Sequence, residues 1–431
     1  MALECEVLGT ARRVLASISR TEDVAFSPDG ATLAIADFGQ DEIAFFTLEL
    51  PADGPVRLTD GVRLACPELA APHGLTFVGN DHVVVASREG AVALFEVPRQ
   101  FDGESHKVDH PVAMLGDGPT GFTSPGSVAA RSLGAERFDV LVCYNYAHVV
   151  TRYELDLADG VMQGQERPAV QKWMDIPDGV CFSADGQWLA VSNHNMNAVL
   201  LYRNDELLGP ASDPDGIARG VAYPHGLFFS PDGSALFVAD AGTPYVHVYR
   251  RGAAGWNGVH FPVASTRVID DVRFHAGRAH PDGINTQEGG PKGIDLHPTA
   301  PLVAITCEEQ VLSFATVEEL SADDAEALAS AQVELDLELH RSARAERQER
   351  DRLRDELRDL HVDAGRQLSE SAQTIETVRQ ELAAARRAAK AEVASLERRI
   401  DKIHTSRSWR WSTPLRRLGR MRRVVRGGRR A

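Results

Sequence analysis

The feature that most constrains the fold of this 431-residue chain is an internal repeat of about 50 residues. One copy reads PHGLFFSPDGSALFVADAGTPYVHVYR. The six units begin at Glu22, Pro72, Ser124, Pro177, Pro224 and Pro291. Each unit predicts short strands, because β-branched and aromatic residues alternate with polar ones and Asp-Gly or Asn-Asp pairs interrupt the runs. Four-stranded units of this length predict a β-propeller.

Six units predict an all-β domain with six blades over residues 1–316. Seven blades are the alternative, if residues 255–290 contain a further unit. The last unit shows only three strands before a helical pattern begins. A strand from the N-terminal segments CEVLGT or RRVLAS is therefore expected to complete the last blade and close the ring.

The unit that begins at Pro224 resembles those of the regucalcin/gluconolactonase and bacterial lactonase propellers and of the related YVTN-type repeats. The likeness extends over about residues 1–315. It implies the propeller fold and leaves the activity open, because propellers host many unrelated functions.

The residue before the first glycine of each unit, or its equivalent, is expected where the innermost strand begins, beside the central channel. These residues are Asp23, His73, Pro125, Asp178, His225 and Lys292. Carboxylates and imidazoles that converge from different blades are typical of a metal or acid–base site. The alternative is that they only bind backbone amides or pack in the core.

A second layer of polar residues is expected at the ends of the following strands. It comprises Asp37, Arg88, Asn145, Asn193, His194, Asp240 and Glu308. The candidate ligand-binding residues among them are Asn193, His194, Asp240 and Glu308.

The resemblance to gluconolactonase-like enzymes implies a divalent ion held by a Glu of the first blade and by residues before glycine. Asp23, with Glu22 as the alternative, stands for that Glu, and Asp178 and His225 for the other ligands. The ion implied is Ca²⁺, Mg²⁺, Mn²⁺ or Zn²⁺. The chain departs from the family pattern, because no Asn-Gly pair begins an inner strand.

Lys292 also departs from that pattern, because it places a cation in the predicted ring. A lysine there could replace the metal electrostatically or bind an anionic ligand. Lys292 and His73 are the candidates for a catalytic role. The polar, glycine-rich segment 274–293 is a candidate lid, with His280, Asp282 and Asn285 near the channel mouth. A mobile solvated loop is the alternative.

From Ser321 the pattern changes to one long helix, with SADD as a capping box at its start. Apolar residues from Leu353 onward recur at alternating steps of three and four, with two slips. This spacing predicts a coiled coil over residues 317–404 that joins copies of the chain, with a parallel dimer as the simplest arrangement. A single solvent-exposed helix is the alternative.

The remaining residues, 405–431, carry ten arginines and no carboxylate, although the whole chain has a net charge of −16. A cationic amphipathic helix beside two tryptophans is typical of an anchor to anionic lipid. The docking residues predicted are Trp409, Arg410, Trp411, Leu415, Arg416 and Arg417. Non-specific binding of polyanions and a disordered end are alternatives, and no folded nucleic-acid module accompanies the tail.

The segment SRSWRWSTPLRRLGR, residues 406–420, resembles the C-terminal segment that follows coiled coils in bacterial glycosyltransferases of surface-polysaccharide assembly. No glycosyltransferase domain accompanies it here. The resemblance therefore implies envelope-assembly glycosyltransferases as partners, and not their reaction.

The first twenty residues lack a long apolar segment, and no apolar run is long enough to span a bilayer. The five cysteines are scattered, which favours reduced thiols. The chain is therefore expected to be cytoplasmic and peripheral at the inner membrane face. The favoured function is a non-catalytic binding or scaffolding role beside polysaccharide machinery. The alternative is a metal-dependent lactone hydrolase.

Overall fold

The computed structural model describes residues 3–52, 54–115, 122–158, 161–279, 286–322 and 324–406. The strands in these ranges are β1 (Cys5–Val7), β2 (Thr21–Phe26), β3 (Thr32–Asp37), β4 (Glu42–Glu49), β5 (Val56–Ala65), β6 (Pro72–Phe77), β7 (His82–Ser87), β8 (Val92–Glu96), β9 (Ser105–Lys107), β10 (Ala113–Leu115), β11 (Pro125–Gly134), β12 (Arg137–Tyr144), β13 (Val149–Asp156), β14 (Val161–Val170), β15 (Pro177–Phe182), β16 (Trp188–Asn193), β17 (Ala198–Arg203), β18 (Gly216–Ala218), β19 (Pro224–Phe229), β20 (Ala235–Asp240), β21 (Tyr245–Arg250), β22 (Gly258–His260), β23 (Ala264–Arg267), β24 (Pro291–Leu296), β25 (Leu302–Cys307) and β26 (Gln310–Thr316). The helices there are α1 (Ala11–Ser17), α2 (Asp271–Arg278), α3 (Val317–Leu320) and α4 (Ala325–Thr405).

The strands form six sheets, which confirms the predicted six-bladed propeller. The innermost strands are β2, β6, β11, β15, β19 and β24, and each contacts the innermost strands of the neighbouring blades. From each of them the chain runs outward as an antiparallel meander. The described part of residues 255–290, where a seventh blade was the alternative, holds β22, β23 and α2.

The ring closes differently from the sequence-based expectation. CEVLGT does form β1, but β1 pairs in parallel with β5 of the first blade, and RRVLAS lies within α1. The long β5 offers an outer edge of unpaired backbone groups, which β1 satisfies. The last blade keeps three strands, and the N-terminal segment adds one bond to it, from the N–H of Leu3 to the carbonyl oxygen of Phe314 at 2.8 Å. Closure otherwise comes from side chains of α1 and of the first and last blades, which share one hydrophobic cluster.

The innermost strands lie close together around the axis, and glycines make this possible. A Cβ on Gly226 would lie 2.5 Å from the carbonyl oxygen of Lys292, and one on Gly74 would lie 2.5 Å from the Cα of Ser127. Both distances are shorter than any van der Waals contact, so a larger residue would force the blades apart. The residues just before these glycines are brought together at one end of the channel.

Helix α4 confirms the predicted change from strands to helix. Asp324 caps it, since its carboxylate accepts the N–H groups of Glu326 and Ala327 at 3.0 and 2.9 Å. The capping box lies instead at Thr316 and Glu319, where it begins α3. The compact unit that contains the propeller extends to residue 343, so the first turns of α4 belong to that unit.

In the rest of α4, large apolar side chains of the predicted seam are about half exposed in the single chain. They include Leu353, Ile375, Val378, Leu382, Val393, Leu396, Ile400 and Ile403. The coiled coil stays a prediction. Among the described helices, none is long and apolar enough to cross a membrane. Trp409, Arg410, Trp411, Leu415, Arg416 and Arg417 lie outside the described residues, so docking of the tail also stays a prediction.

Candidate functional site

The strand register shows which residues of the six blades are equivalent. The first residue of every innermost strand pairs with the last residue of the next strand, as Thr21 does with Asp37 and Pro177 with Asn193. The second residue therefore occupies the same place in each blade. These six residues, called the site ring below, are Glu22, His73, Gly126, Asp178, His225 and Lys292.

The predicted ring was wrong in the first and third blades. Asp23 and Pro125 are each one residue out of register, because β2 has no glycine to mark its alignment and β11 has its glycine one residue early. Gly126 brings no side chain, and a Cβ there would overlap Asn145. Asn145 therefore fills the place of the third blade in the site ring.

Glu22 is fully buried and has one carboxylate oxygen engaged and one directed inward. Its Oε1 accepts from Lys292 Nζ at 3.0 Å and from Arg20 Nε at 2.7 Å. Its Oε2 has no hydrogen-bond partner among the described residues and lies 3.7 Å from His225 Nε2. Burial raises the pKa of Glu22, but the charges of Lys292 and Arg20 outweigh it and hold this pKa well below its ordinary value. Glu22 is therefore ionised at neutral pH.

Asp178 repeats this arrangement from the fourth blade. Its Oδ1 accepts from Arg88 at 3.0 Å and from the side-chain amide of Asn145. Its Oδ2 lies 2.8 Å from His225 Nε2 and 3.1 Å from His194 Nε2, yet forms no hydrogen bond of good geometry within the described residues. Burial raises the pKa of Asp178, but the nearby imidazoles of His225 and His194 outweigh it and hold the pKa well below its ordinary value.

His73 differs from the other two histidines because both of its ring nitrogens are engaged. Its Nδ1 donates to the carbonyl oxygen of Gly126 at 2.8 Å, and its Nε2 accepts from Arg88 at 2.6 Å. Burial and the charge of Arg88 lower the pKa of His73 to about 3. His73 is therefore neutral, and its remaining lone pair is already used.

Four buried atoms without a hydrogen-bond partner among the described residues converge around His225: Glu22 Oε2, Asp178 Oδ2, His194 Nε2 and His225 Nε2 itself. His225 Nε2 lies 2.8 Å from Asp178 Oδ2 and 3.7 Å from Glu22 Oε2, and Asp178 Oδ2 lies 3.1 Å from His194 Nε2. Neighbouring ligands of one ion at about 2.0–2.2 Å have separations of this size. Two overlapping groups of potential metal ligands share His225: Glu22 with His73, and Asp178 with His194. Both ring nitrogens of His73 are already engaged, which leaves Glu22, Asp178, His194 and His225 as the candidate ligands. Two imidazoles and two carboxylates suit Zn²⁺, Mn²⁺ or Fe²⁺ better than Ca²⁺ or Mg²⁺, which prefer oxygen ligands.

Lys292 is fully buried and serves as a fixed cation. Besides Glu22, its Nζ contacts carboxylate oxygens of Glu288 and Glu308, each at 2.8 Å. Burial lowers the pKa of Lys292, but the three carboxylates outweigh it and raise the pKa well above its ordinary value. A protonated amine is neither a nucleophile nor a base, so the lysine contributes its charge and its hydrogen bonds to the site.

The second layer divides according to strand face. Arg88, Asn145, His194 and Glu308 each follow the last residue of a second strand, and all contact the site ring. Asp37, Asn193 and Asp240 are themselves last residues, and each accepts backbone N–H groups from the segment that enters its innermost strand. Asn193 and Asp240, predicted as ligand-binding residues, thus hold the backbone that positions the ring.

A cavity of about 290 Å³ is lined by His73 of the site ring and by His194 and Glu288 beside it. Its walls include the rings of Phe38, Tyr146 and Tyr223 and the guanidinium groups of Arg20 and Arg88. Sequence reasoning missed Arg20 and all three aromatic residues, because they lie in turns and carry no motif. The cavity has room for a small cyclic molecule with a polar group directed at the ring.

The candidate lid, residues 274–293, is partly helical, because α2 extends to Arg278. His280, Asp282 and Asn285 lie outside the described residues. Glu288, which the sequence did not single out, reaches Lys292 just before β24 begins.

Asp23 lies further along the innermost strands, where it and Asp295 line a second cavity of about 220 Å³. Asp23 accepts the N–H groups of Val24 and Leu75 at 2.9 and 3.0 Å. Burial raises the pKa of Asp23 and of Asp295 to about 7. Asp23 is therefore not among the converging donor atoms, and Glu22, the alternative, takes the place predicted for it.

Asp295→Asn is expected to change how stability depends on pH. The carboxyl of the folded chain keeps its proton up to about pH 7, whereas that of the unfolded chain loses it near pH 3.8. Between these values only the unfolded state is ionised, so the free energy of unfolding falls as pH rises. Without this group, the slope of that free energy should become more positive by up to ~1.4 kcal/mol per pH unit. Urea unfolding at pH 5, 6, 7 and 8 measures it, and parallel profiles for both proteins would contradict the raised pKa.

Comparison with known proteins supports the likeness to lactonase propellers. A family model described as "Lactonase, 7-bladed beta-propeller" matches residues 19–213, less than half of the chain. The matched segment contains Glu22, Asp178 and His194 of the converging donors. Among curated proteins, none matches the chain.

Solved structures with a similar fold are distant. A functionally unknown protein from Desulfotomaculum acetoxidans is 14% identical, with a TM-score of 0.42, and the match covers 69% of this chain and 83% of that one. A proposed 6-phosphogluconolactonase from Bacteroides fragilis is 15% identical, with a TM-score of 0.43, and the match covers 68% of this chain and 79% of that one. A luciferin-regenerating enzyme is 13% identical, with a TM-score of 0.46, and the match covers 69% of this chain and 90% of that one. These scores are too low to carry an argument about activity or substrate.

Proposed function

We propose that the protein is a metal-dependent hydrolase of lactones. The observation that carries the proposal is the convergence of four buried donor atoms that lack hydrogen-bond partners among the described residues. Buried polar atoms of native proteins are nearly always satisfied, so such a group favours an ion as the missing partner. The lactonase family model over residues 19–213 supports the choice of reaction. A non-catalytic scaffold, the function that the sequence favoured, gives Glu22 Oε2 no partner among the described residues.

The residues around the donor atoms fit a divalent transition-metal ion. When bound, such an ion polarises an ester carbonyl and lowers the pKa of a water molecule. Lys292 and Arg20 hold one oxygen of Glu22, and Arg88 and Asn145 hold one oxygen of Asp178. The second oxygen of each carboxylate is thereby left available and would bind the ion, since outer partners orient the ligands of metal sites.

The charge of the site suits a reaction that creates one negative charge. Its four carboxylates, Glu22, Asp178, Glu288 and Glu308, outnumber the three fixed cations, Arg20, Arg88 and Lys292. A divalent ion reverses the resulting charge of −1 to +1. In lactone hydrolysis water adds to the carbonyl carbon, the ring C–O bond breaks, and a hydroxy-carboxylate anion is formed.

Arg88 is placed to stabilise the negative charge that develops on the carbonyl oxygen. Its side chain lines the cavity and is one-fifth exposed, while its contacts with Asp178 and His73 fix its position. A guanidinium held in place before the reaction needs no reorganisation when the charge develops. The aromatic rings of Phe38, Tyr146 and Tyr223 would hold the apolar face of the lactone ring.

The proposal is tested by proton release from five- and six-membered lactones, with the full chain and added Mn²⁺ or Zn²⁺. His225→Ala is the matched variant, because His225 belongs to both groups of metal ligands. We expect turnover by the natural chain and a loss of at least ~100-fold in the variant. No hydrolysis above the uncatalysed rate, or equal rates for both proteins, would contradict the proposal.

We further propose that α4 pairs with a second copy of the chain. Apolar residues that follow the heptad spacing are about half exposed along it, and a partner helix would cover them. Leu396→Glu should convert a dimer to a monomer in light scattering. Arg398→Gln, which changes the charge equally on the opposite side of the helix, should leave the dimer intact. A natural chain that is monomeric at micromolar concentration would contradict this proposal.

A further inference from the structure

Arg278, the last residue of α2, joins α4 to the segment that leads into the site. Its Nη1 and Nη2 donate to the carboxylate of Glu338 at 2.9 and 2.6 Å, and its Nε donates to the carbonyl oxygen of Thr286 at 3.0 Å. The side chains of Arg278 and Glu338 are 15% and 6% exposed. A buried charge pair of this kind is strongly coupled, since loss of one partner leaves the other unpaired.

The same arginine also fixes the backbone next to Glu288. A Cβ on Gly289 would lie 2.5 Å from Arg278 Cγ, so the aliphatic part of the arginine packs directly on this glycine. The N–H groups of Gly289 and Gly290 donate to the carbonyl oxygen of Ala241, each at 2.9 Å. The backbone on both sides of Glu288 is thus held in place.

Glu288 carries this arrangement into the site ring. Its carboxylate lies 2.8 Å from Lys292 Nζ, and Lys292 in turn holds Oε1 of Glu22 at 3.0 Å. The contacts therefore run without a gap from α4, through Arg278 and the segment 286–290, to a carboxylate among the converging donors. Each step is a hydrogen bond, an ion pair or a direct packing contact.

We infer that Glu338 and Arg278 are positioning residues for the candidate metal site, so that the first turns of α4 complete the support of that site. The inference rests on the proposed function only for its metal readout. It gives α4 a task besides pairing with a second copy. Outer residues that orient metal ligands affect affinity by about 10–100-fold.

A neighbouring ion pair separates positioning from simple docking of the helix. Glu334 lies one turn earlier on α4 and pairs with Arg267, which also contacts Asp271 at 2.6 Å. This pair also ties α4 to the propeller, and its further contacts are with Asp271 and Tyr245, outside the segment 286–290. Glu334→Gln is therefore the matched control for Glu338→Gln.

The test compares both variants and Glu338→Asp in the full chain, by calorimetric titration with Mn²⁺ and by hydrogen exchange of the Gly289 and Gly290 amides. Glu338→Gln should weaken Mn²⁺ binding about 10-fold, and the hydrogens of these two amides should exchange at least ~10-fold faster in this variant than in the natural chain. Glu338→Asp should recover most of the affinity, and Glu334→Gln should leave both readouts within about twofold.

Equal effects of Glu338→Gln and Glu334→Gln, or no effect of either, would overturn the inference. If the natural chain binds no Mn²⁺, the proposed metal site fails, and the exchange of the two glycine amides still decides whether Glu338 positions the segment.

Discussion

Glu22→Gln is expected to lower the affinity for Mn²⁺ or Zn²⁺ by more than ~100-fold and to reduce lactone hydrolysis in proportion. The amide oxygen of the variant can still accept from Lys292 and Arg20, as Oε1 does now. Its NH₂ group then takes the place of Oε2, and an amide nitrogen with two protons has no lone pair for a metal. Calorimetric titration and initial rates measure the two losses.

Asp23→Asn is the control for this prediction, because it makes the same carboxyl-to-amide change at the next residue. The carboxylate of Asp23 is bound to backbone N–H groups and lines the other cavity, so metal affinity should stay within about threefold of the natural chain. The opposite outcome, with metal binding lost in Asp23→Asn and kept in Glu22→Gln, would show that the first blade is aligned as the sequence first suggested.

Lys292→Met is expected to lower the free energy of unfolding at pH 8 by about 3–5 kcal/mol, because a buried charge network loses its central cation. Glu22, Glu288 and Glu308 then face one another without Lys292. Their mutual repulsion raises the pKa values of Glu22 and Glu288 in the folded variant, so its stability falls as pH rises through those values and is partly regained at pH 5. Urea unfolding at the two pH values measures the loss and its recovery.

Lys172→Met provides the matched control for the buried lysine. Lys172 contacts Asp213 at 2.7 Å, but both side chains are about half exposed or more. An exposed ion pair contributes little, so the same substitution there should cost less than ~1 kcal/mol. If Lys292→Met also lowers the free energy of unfolding by less than ~1 kcal/mol, or lowers it equally at pH 5 and pH 8, the lysine does not hold the three carboxylates together.

The blade count could be predicted because its signals are local. Alternating strands recur in all six units, and three of the units, those that begin at Glu22, Pro177 and Pro224, carry an Asp-Gly turn between their first two strands. The helical segment after Ser321 was equally readable, since glycine and proline are nearly absent from it. Pairing between distant segments was not: β1 joins β5, about 50 residues away, and no local pattern distinguishes that edge from the edge of β26.

Which residues face the site depends on register, and register is a property of two strands. A shift of one residue moves a side chain to the other face, which separates Glu22 from Asp23 and His194 from Asn193. Pro-X-Gly marks the alignment in four blades, so His73, Asp178, His225 and Lys292 were placed from sequence. Arg20 and Glu288 belong to turns whose course is set by tertiary contacts, and no residue pattern indicated them.

The central claim is tested most directly by stripping the full chain of metal with a chelator and titrating Mn²⁺ or Zn²⁺ back. Binding and lactone hydrolysis are followed in the same samples. We expect no hydrolysis by the stripped protein, recovery that saturates at one ion per chain, and half-recovery at the calorimetric Kd. Ca²⁺ should not restore the activity. Hydrolysis that persists without metal, or an ion that binds at Glu22 and His225 without hydrolysis of any lactone, would contradict the claim.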